Sequence, residues 1–229
     1  MNRNKRYMKY LFLIVMSIAS FGFQQPKKTK VIFFGDSITQ MGVDKGGYIT
    51  LIDSISKVEG QGERFEWMGA GIGGNKVYDL YLRLQKDVLD KKPDVVVIFI
   101  GVNDVWHKSS FGTGTDPDKF EKFYQAIIDQ IKATGARIIL CTPAVIGERT
   151  DFSNPQDGDL NAYSTIIRRI ATNNQLSLVD LRKAFLDHNL THNKENKDRG
   201  ILTYDRVHLN AKGNLLVARE MWSKLKAIN

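Results

Sequence analysis

The chain has 229 residues, enough for one α/β domain with a sizeable core. Hydrophobic residues make up 42% of it and charged residues 25%, an ordinary balance for a globular protein without repeats or low-complexity runs. The formal net charge is +8, but residues 1–30 carry seven basic residues and no acid, so residues 31–229 carry only +1. The charge is therefore no reason to expect a nucleic acid partner.

The N-terminus has the pattern of a targeting segment. Residues 1–10 are basic, and an apolar run follows from Leu11 to Phe23, with small residues at Ser20 and Gly22. This pattern predicts a secretory signal peptide. The alternative is an uncleaved membrane anchor, but the run is shorter than the ~20 residues that a spanning helix needs. No cysteine lies at the end of the run, where a lipoprotein anchor would need one, and this argues against such an anchor.

We therefore predict a signal peptide at residues 1–22, a linker at 23–29 and a folded domain at 30–229. The protein is expected to be exported, to the periplasm or outside the cell, with no stable membrane association after cleavage. Its one cysteine, Cys141, cannot form an internal disulfide and is expected to be a small core residue on a strand. The sequence does not predict an oligomeric state.

Apolar runs alternate with amphipathic stretches along the rest of the chain. Strands are predicted at 31–35, 64–71, 94–101, 136–143 and 176–181. Helices are predicted at 48–58, 76–89, 116–135, 160–174 and 210–228. This alternation predicts right-handed βαβ units and a three-layer α/β/α sandwich with a flavodoxin-like five-stranded parallel sheet. Long loops are expected at about 143–159 and 187–207, and loops of that length are usually functional or mobile.

Polar or glycine-rich turns follow the first three predicted strands. They are GDS at 35–37, GAGIGGN at 69–75 and GVND at 101–104. In an open parallel α/β sheet the carboxyl ends of the strands share one edge, and ligands bind there, where the strand order reverses. Topology alone should bring these turns together. Ser37, in the first turn, is therefore a candidate nucleophile as well as a candidate helix cap.

A serine nucleophile needs a general base and an acid that orients the base. Of the four histidines, only His208 has an acid, Asp205, three residues upstream in a compact turn before a helix. Such a turn would let Asp205 accept from Nδ1–H and leave Nε2 free to face Ser37. The alternative is a capping turn with a surface histidine. His107, which follows the third turn, is expected to contact substrate or to be a spectator.

Two other patterns compete for a function. His188 and His192 have a spacing that suits a metal on a helix, but their polar surroundings indicate a loop, and we expect no metal. The turn at 69–74 matches the G-x-G-x-x-G fingerprint of dinucleotide-binding folds. It follows the second strand rather than the first, and Asp90, the acid about 20 residues on, lies at a helix end. We favour the other use of such a turn, in which glycine lets a backbone N–H approach a ligand oxygen closely.

Four segments, in chain order, resemble the signature blocks of the SGNH hydrolases, the GDSL esterase/lipase superfamily. They are FFGDSIT, GIGG, GVND and DRVHLNAKG. The blocks extend from Gly35 to Gly213, so the resemblance covers almost all of the chain after the targeting segment. It implies that Ser37 is the nucleophile, His208 the general base and Asp205 its partner.

The resemblance also implies an oxyanion hole. Its donors would be the Ser37 N–H, the Gly74 N–H and the side-chain amide of Asn103. Which glycine of the second turn donates stays open among Gly71, Gly73 and Gly74, with Gly74 preferred. On residue type alone, the Asn-Asp pair of the third turn is equally suited to an ordinary turn.

The expected reaction is hydrolysis of a small-molecule or glycan ester, with neither metal nor organic cofactor. The GVNDVWHK stretch and the exported single domain look similar to the carbohydrate-deacetylating members of the family. An O-acetyl ester on carbohydrate is therefore the expected substrate, with Trp106 and His107 as candidate substrate-lining residues, although Trp106 also suits the core. The alternatives are a lysophospholipase-type or thioesterase-type acyl hydrolase and a non-catalytic glycan-binding protein.

Overall fold

The computed structural model describes residues 27–228. The predicted signal peptide at residues 1–22 and most of the predicted linker lie outside this range. Within it, no helix is both long enough and apolar enough to span a bilayer.

Five strands form one all-parallel sheet. They are β1 (Thr29–Gly35), β2 (Phe65–Gly71), β3 (Val95–Phe99), β4 (Arg137–Cys141) and β5 (Ser177–Val179). Their order across the sheet is β2-β1-β3-β4-β5, the flavodoxin-like order. After β1 the chain adds β2 on one side of it and then β3 on the other side. The pair β1 and β3 is therefore the switch point at which such folds bind ligands.

Residues 27–228 also form eight α-helices, of which six lie between successive strands and two follow β5. They are α1 (Ser37–Gly42), α2 (Tyr48–Val58), α3 (Val77–Asp87), α4 (Val102–Phe111), α5 (Pro117–Lys132), α6 (Asp157–Asn174), α7 (Leu181–His192) and α8 (Ala211–Leu225). Helix α2 packs against α8, whereas α3, α5 and α6 pack side by side. Because right-handed crossovers place these two groups on opposite faces of the sheet, the predicted three-layer α/β/α sandwich is confirmed.

The two central strands form the middle of the core. Residues 31–34 of β1 and 95–98 of β3 are fully buried, as continuous apolar runs predict for strands covered on both faces. Cys141, at the end of β4, is also fully buried, and burial raises the pKa of its thiol well above the ordinary range. It is the small core residue that was predicted.

Three of the eight helices in residues 27–228 were not among those predicted. For the first, α1, only a cap candidate, Ser37, was named. Helix α4 begins at Val102, within the third turn, and α7 occupies residues that were assigned to the end of a strand and to a polar loop. The loop assignment of His188 and His192 is therefore wrong. Helix α7 buries only a narrow face, chiefly Leu181, Phe185 and Asn189, so its polar sequence hides the helical period. The second long loop consequently begins after residue 192.

Candidate active site

The junction between β1 and α1 positions Ser37. The Asp36 side chain accepts a hydrogen bond of 3.0 Å from the Ile38 N–H and caps the helix. As the first helical residue, Ser37 has an N–H with no acceptor inside the helix. Helix α1 lies very close to the sheet, because a Cβ on Gly35 would be 2.3 Å from the Thr39 Oγ1. Ser37 thus begins a helix two residues after the end of a central strand, at the ligand-binding edge.

Ser37, His208 and Asp205 form one hydrogen-bonded line. The Ser37 Oγ lies 2.9 Å from the His208 Nε2, and the His208 Nδ1 lies 2.6 Å from the Asp205 Oδ2. Ser37 is 171 residues away from His208 in sequence, and the fold brings the two side chains together. With Nδ1 protonated and bound to the carboxylate, Nε2 is free to accept the serine proton.

A compact turn holds the acid and the histidine together. The second carboxylate oxygen of Asp205 accepts hydrogen bonds from the N–H groups of Val207 (3.0 Å) and His208 (2.7 Å). Partial burial would raise the pKa of Asp205, but the hydrogen bonds from the His208 ring and from these two N–H groups outweigh it and hold the pKa below its ordinary value. Asp205 is therefore ionised at neutral pH and able to orient the imidazole.

The glycine-rich second turn places one free N–H beside the serine. The Gly73 N–H donates to the Gln40 side chain at 2.7 Å, and Gly71 belongs to β2. Among residues 27–228, the Gly74 N–H has no hydrogen-bond partner. Gly74 adopts a φ of +75°, which L side chains rarely adopt, so this turn requires glycine. A Cβ on Gly73 would lie 3.9 Å from the Ser37 Cβ, which shows how closely the two turns approach.

The third turn is attached to the second. Asn103 is almost fully buried, and its side-chain amide donates to the Asn75 carbonyl at 3.1 Å. The neighbouring Asp104 accepts from the Val77 N–H at 3.1 Å, at the start of α3. A primary amide has two N–H donors. One Asn103 donor is used to hold the second turn, which leaves the other for a ligand.

Aromatic rings lie beside the His208 ring. The Trp106 ring meets the His208 ring edge-on at 6.2 Å, and the Tyr204 ring stacks on His208 at 5.8 Å. His107 lies over the second turn, since a Cβ on Gly74 would be 3.8 Å from its Cε1. Burial, with a smaller contribution from a nearby lysine, lowers the pKa of His107. Tyr204 was missed at the sequence level, although it directly precedes Asp205.

His188 and His192 lie elsewhere, on α7, with their rings stacked 4.1 Å apart. Within the part of the chain that the structure describes, no group of three or more His, Cys, Asp or Glu side chains is arranged to hold a metal ion. These two histidines are not part of the Ser37 site.

A parallel α/β/α sandwich with Ser, His and Asp aligned at the strand edge is an arrangement of serine hydrolases. The model of the GDSL-like Lipase/Acylhydrolase family matches residues 33–216. The chain belongs to this family, which confirms the SGNH hydrolase resemblance, and it is a carboxylic ester hydrolase.

Known relatives agree with this assignment. The crystal structure of the acetyl xylan esterase AlAXEase is 64% identical, with a TM-score of 0.84, covering 86% of this chain and 99% of that one. The acetylxylan esterase of Geobacillus stearothermophilus is 29% identical over 83% of this chain and 90% of its own length. The uncharacterized lipoprotein YqeF of Bacillus subtilis (strain 168) is 26% identical over 78% and 81%.

Proposed function

We propose that the protein removes O-acetyl groups from carbohydrate by a Ser37-His208-Asp205 mechanism. The observation that carries the proposal is the hydrogen-bonded line from the Ser37 Oγ through the His208 ring to the Asp205 carboxylate. The similarity to acetylxylan esterases supports the acyl group and the substrate class.

In the first half of the reaction, the Ser37 Oγ attacks the ester carbonyl while the His208 Nε2 takes its proton. Asp205 holds the ring and stabilises the imidazolium that forms. The imidazolium then protonates the departing sugar hydroxyl, which leaves an acetyl group on Ser37. Water, deprotonated by His208, then attacks the acyl-enzyme. As the bond between Ser37 Oγ and the acetyl group breaks, the imidazolium returns the proton to Oγ and acetate is released. No step calls for a metal or an organic cofactor.

The oxyanion of each tetrahedral intermediate would be held by three donors: the Ser37 N–H, the Gly74 N–H and the Asn103 amide. Two features support this assignment. The Gly73 N–H is already occupied by Gln40, whereas the Gly74 N–H is free among the described residues. Asn103 is held in place through one amide hydrogen while the other remains available.

The aromatic rings beside His208 support a sugar as the group that carries the ester. Trp106 is partly buried, whereas Tyr204 is more than half exposed, so these rings offer one fixed and one open apolar face. Such faces pack against the C–H surfaces of a sugar ring. His107 would add a neutral ring nitrogen that can hydrogen-bond a hydroxyl.

The location of the protein is part of the proposal. The basic and apolar N-terminus, together with the similarity to a protein named as a lipoprotein, supports export by a signal peptide at residues 1–22. The catalytic domain would then be residues 30–229 after a linker at 23–29. An exported location matches a glycan ester, which is an extracellular substrate, as the partner of the site.

A substrate panel tests the acyl group and the substrate class. We expect p-nitrophenyl acetate to be hydrolysed with a much higher kcat/KM than the C8 ester, and acetate to be released from acetylated xylan. Strong activity on lysophospholipid, acyl thioesters or long-chain esters, without acetate release from glycan, would contradict the proposal. Glycan binding without turnover would favour the non-catalytic alternative.

The sugar-contacting role of Tyr204 can be tested separately. Tyr204→Ala should raise KM for acetylated xylo-oligosaccharides while leaving KM for p-nitrophenyl acetate nearly unchanged. The control is Tyr81→Ala, which removes an exposed tyrosine that packs on Phe123 between α3 and α5. An equal effect on both substrates, or the same effect in the control, would argue against a sugar contact.

A further inference from the structure

Glu148 is a fully buried carboxylate in the long loop after β4. Its Oε2 accepts a hydrogen bond from the Ile201 N–H at 2.8 Å. Its Oε1 accepts from the N–H groups of Leu202 and Thr203, each at 2.7 Å. Three consecutive backbone N–H groups thus converge on one side chain more than 50 residues away.

The hydrogen bonds to the Glu148 side chain all come from backbone N–H groups, although His188 lies close enough to interact with its charge. Among residues 27–228, no lysine or arginine forms an ion pair with it. A buried carboxylate without a cation is stable only if its lone pairs are hydrogen-bonded, and consecutive N–H groups form a concave anion-binding surface. The three N–H groups in turn depend on the carboxylate, because without it they would be left buried and unpaired.

The three N–H groups lie at the base of the turn that carries Asp205 and His208. Thr203 and Leu209 form an antiparallel bridge that closes this turn, and the Asn210 N–H donates to the Leu202 carbonyl at 2.9 Å. Residues 201–210 thus form a short hairpin, with Asp205 and His208 near its tip. Glu148 holds the first arm of this hairpin, residues 201–203.

The same loop contacts the hairpin at a second point. The Gly147 N–H donates to the Arg206 carbonyl at 2.9 Å, between Asp205 and His208 in sequence. The Glu148 carbonyl accepts from the Asn193 side chain at 2.8 Å, which fixes the loop to the end of α7. The loop after β4 is thereby a rigid support for the hairpin rather than a free lid.

We infer that Glu148 is a positioning residue for the reaction, which sets the Asp205–His208 pair in line with Ser37 by holding residues 201–203. This inference rests on the proposed function. Glu148 does not contact the ester. It acts through the backbone, so its loss displaces the base relative to the nucleophile, and a displacement of about 1 Å can cost on the order of 10²-fold in rate.

The test is Glu148→Gln, which keeps the volume but replaces one acceptor oxygen with an NH₂ group that faces an N–H. Measured well below the melting temperature, kcat should fall by roughly 10- to 100-fold with KM for p-nitrophenyl acetate unchanged. Labelling of Ser37 by a fluorophosphonate should slow by a similar factor. The downfield proton resonance of the His208 Nδ1–H bonded to Asp205 should shift or broaden.

Asp180→Asn is the matched control. Asp180 is also a multiply bonded carboxylate, which accepts from Thr142 and pairs with Arg168, but it caps α7 and does not touch the hairpin. This variant should lose stability while kcat and the labelling rate stay within about twofold of wild type. A merely structural role for Glu148 would give the same pattern in Glu148→Gln, and that result would overturn the inference.

The two proposals fail in different ways. If wild type neither hydrolyses esters nor reacts with the fluorophosphonate, the proposed function fails. If wild type does both and Glu148→Gln is equally fast, only the role of Glu148 fails. If Glu148→Gln does not fold, amide hydrogen exchange of wild type decides: the N–H groups of 201–203 should exchange far more slowly than those of the exposed segment 151–153, and equally fast exchange would overturn the inference.

Discussion

At the scale of single residues, the site depends on polar groups whose partners are already in place. Asn103 is the clearest case, because its buried amide is held by the Asn75 carbonyl and has one donor left. Electrostatic stabilisation by such preorganised donors is usually a large part of catalysis. The kcat of the enzyme should therefore depend strongly on the Asn103 amide.

Asn103→Ala should lower kcat by about 10² to 10³-fold, the cost of one lost oxyanion donor. KM for p-nitrophenyl acetate should change little, since the donor acts mainly on the transition state. Asn174→Ala is the control. This asparagine is the last residue of α6 and forms hydrogen bonds with Gln125 and Lys132. A kcat for Asn103→Ala within a few-fold of wild type would remove Asn103 from the oxyanion hole.

Two buried carboxyl groups lie beside the site without taking part in the proton transfers. Burial, with a contribution from Asp104, raises the pKa of Asp36 to about 7, and burial raises that of Asp104 to about 6. A carboxyl whose pKa is higher in the folded state stays protonated there while the unfolded chain has already released its proton. The free energy of unfolding therefore decreases as pH rises between the unfolded and the folded pKa.

The variant Asp104→Asn tests whether the free energy of unfolding decreases with rising pH in this way. The variant keeps an oxygen that can accept from the Val77 N–H, but it cannot ionise. Its free energy of unfolding relative to wild type should increase between about pH 4 and 6, by roughly 2 to 4 kcal/mol, and stay level above that range. Urea unfolding at several pH values measures it. A difference that is constant from pH 4 to 8 would contradict the raised pKa.

At the scale of elements, the close approach of β1 and α1 fixes the position of Ser37. A Cβ on Gly35 would lie 2.3 Å from the Thr39 Oγ1 and 2.4 Å from the Phe99 carbonyl oxygen. Gly35→Ala should push α1 off the sheet, lowering stability by about 1–3 kcal/mol and reducing kcat as Ser37 moves away from His208.

The control for Gly35→Ala is Gly158→Ala in α6, where a Cβ would meet nothing within 4 Å. Alanine there should leave kcat unchanged and raise stability by up to about 1 kcal/mol through helix propensity. Thermal unfolding and steady-state assays compare the pair. Equal melting temperatures and equal kcat values for the two variants would show that the approach of β1 and α1 is not tight.

The sequence predicts the elements that carry strong periodicity and misses those that do not. All five strands and five of the eight helices among residues 27–228 were predicted, because their apolar runs or faces stand out in the sequence. Helix α1 has only six residues, and only its cap was considered. Helix α4 was missed because it follows a strand without a loop, and α7 because its buried face is narrow. Both depend on tertiary contacts that local patterns do not contain.

The same distinction applies to the site. Turns at the ends of strands can be placed by topology, so the residues that came together, Ser37, Asp205 and His208, could be named from spacing. Glu148 could not, since its partners are backbone N–H groups more than 50 residues away and carry no side-chain signal. Gln40 was missed for the same reason, because it acts on the Gly73 N–H.

At the scale of the whole molecule, the catalytic unit lies within the described residues. The core strands, the three turns and the hairpin with His208 all fall between residues 29 and 225. Residue 27 contributes only an exposed ion pair of 3.2 Å with Asp94, and such pairs are worth at most about 1 kcal/mol. We therefore expect the activity not to depend on residues 1–26.

A chain that begins at Lys27 should keep the melting temperature and the kcat/KM of the full chain. A chain that begins at Asp36 lacks the central strand β1 and should not fold. Circular dichroism and an ester assay distinguish them. Loss of activity in the first chain would mean that residues 1–26 complete the site.

The most direct test of the account is the esterase activity of Ser37→Ala. The alanine removes the Oγ that lies 2.9 Å from the His208 Nε2 and leaves the oxyanion donors in place. Wild type is expected to hydrolyse p-nitrophenyl acetate, and kcat/KM should fall by a factor of about 10⁴ or more in the variant, with the fold intact by circular dichroism. A wild type no faster than Ser37→Ala would rule out Ser37 as the nucleophile.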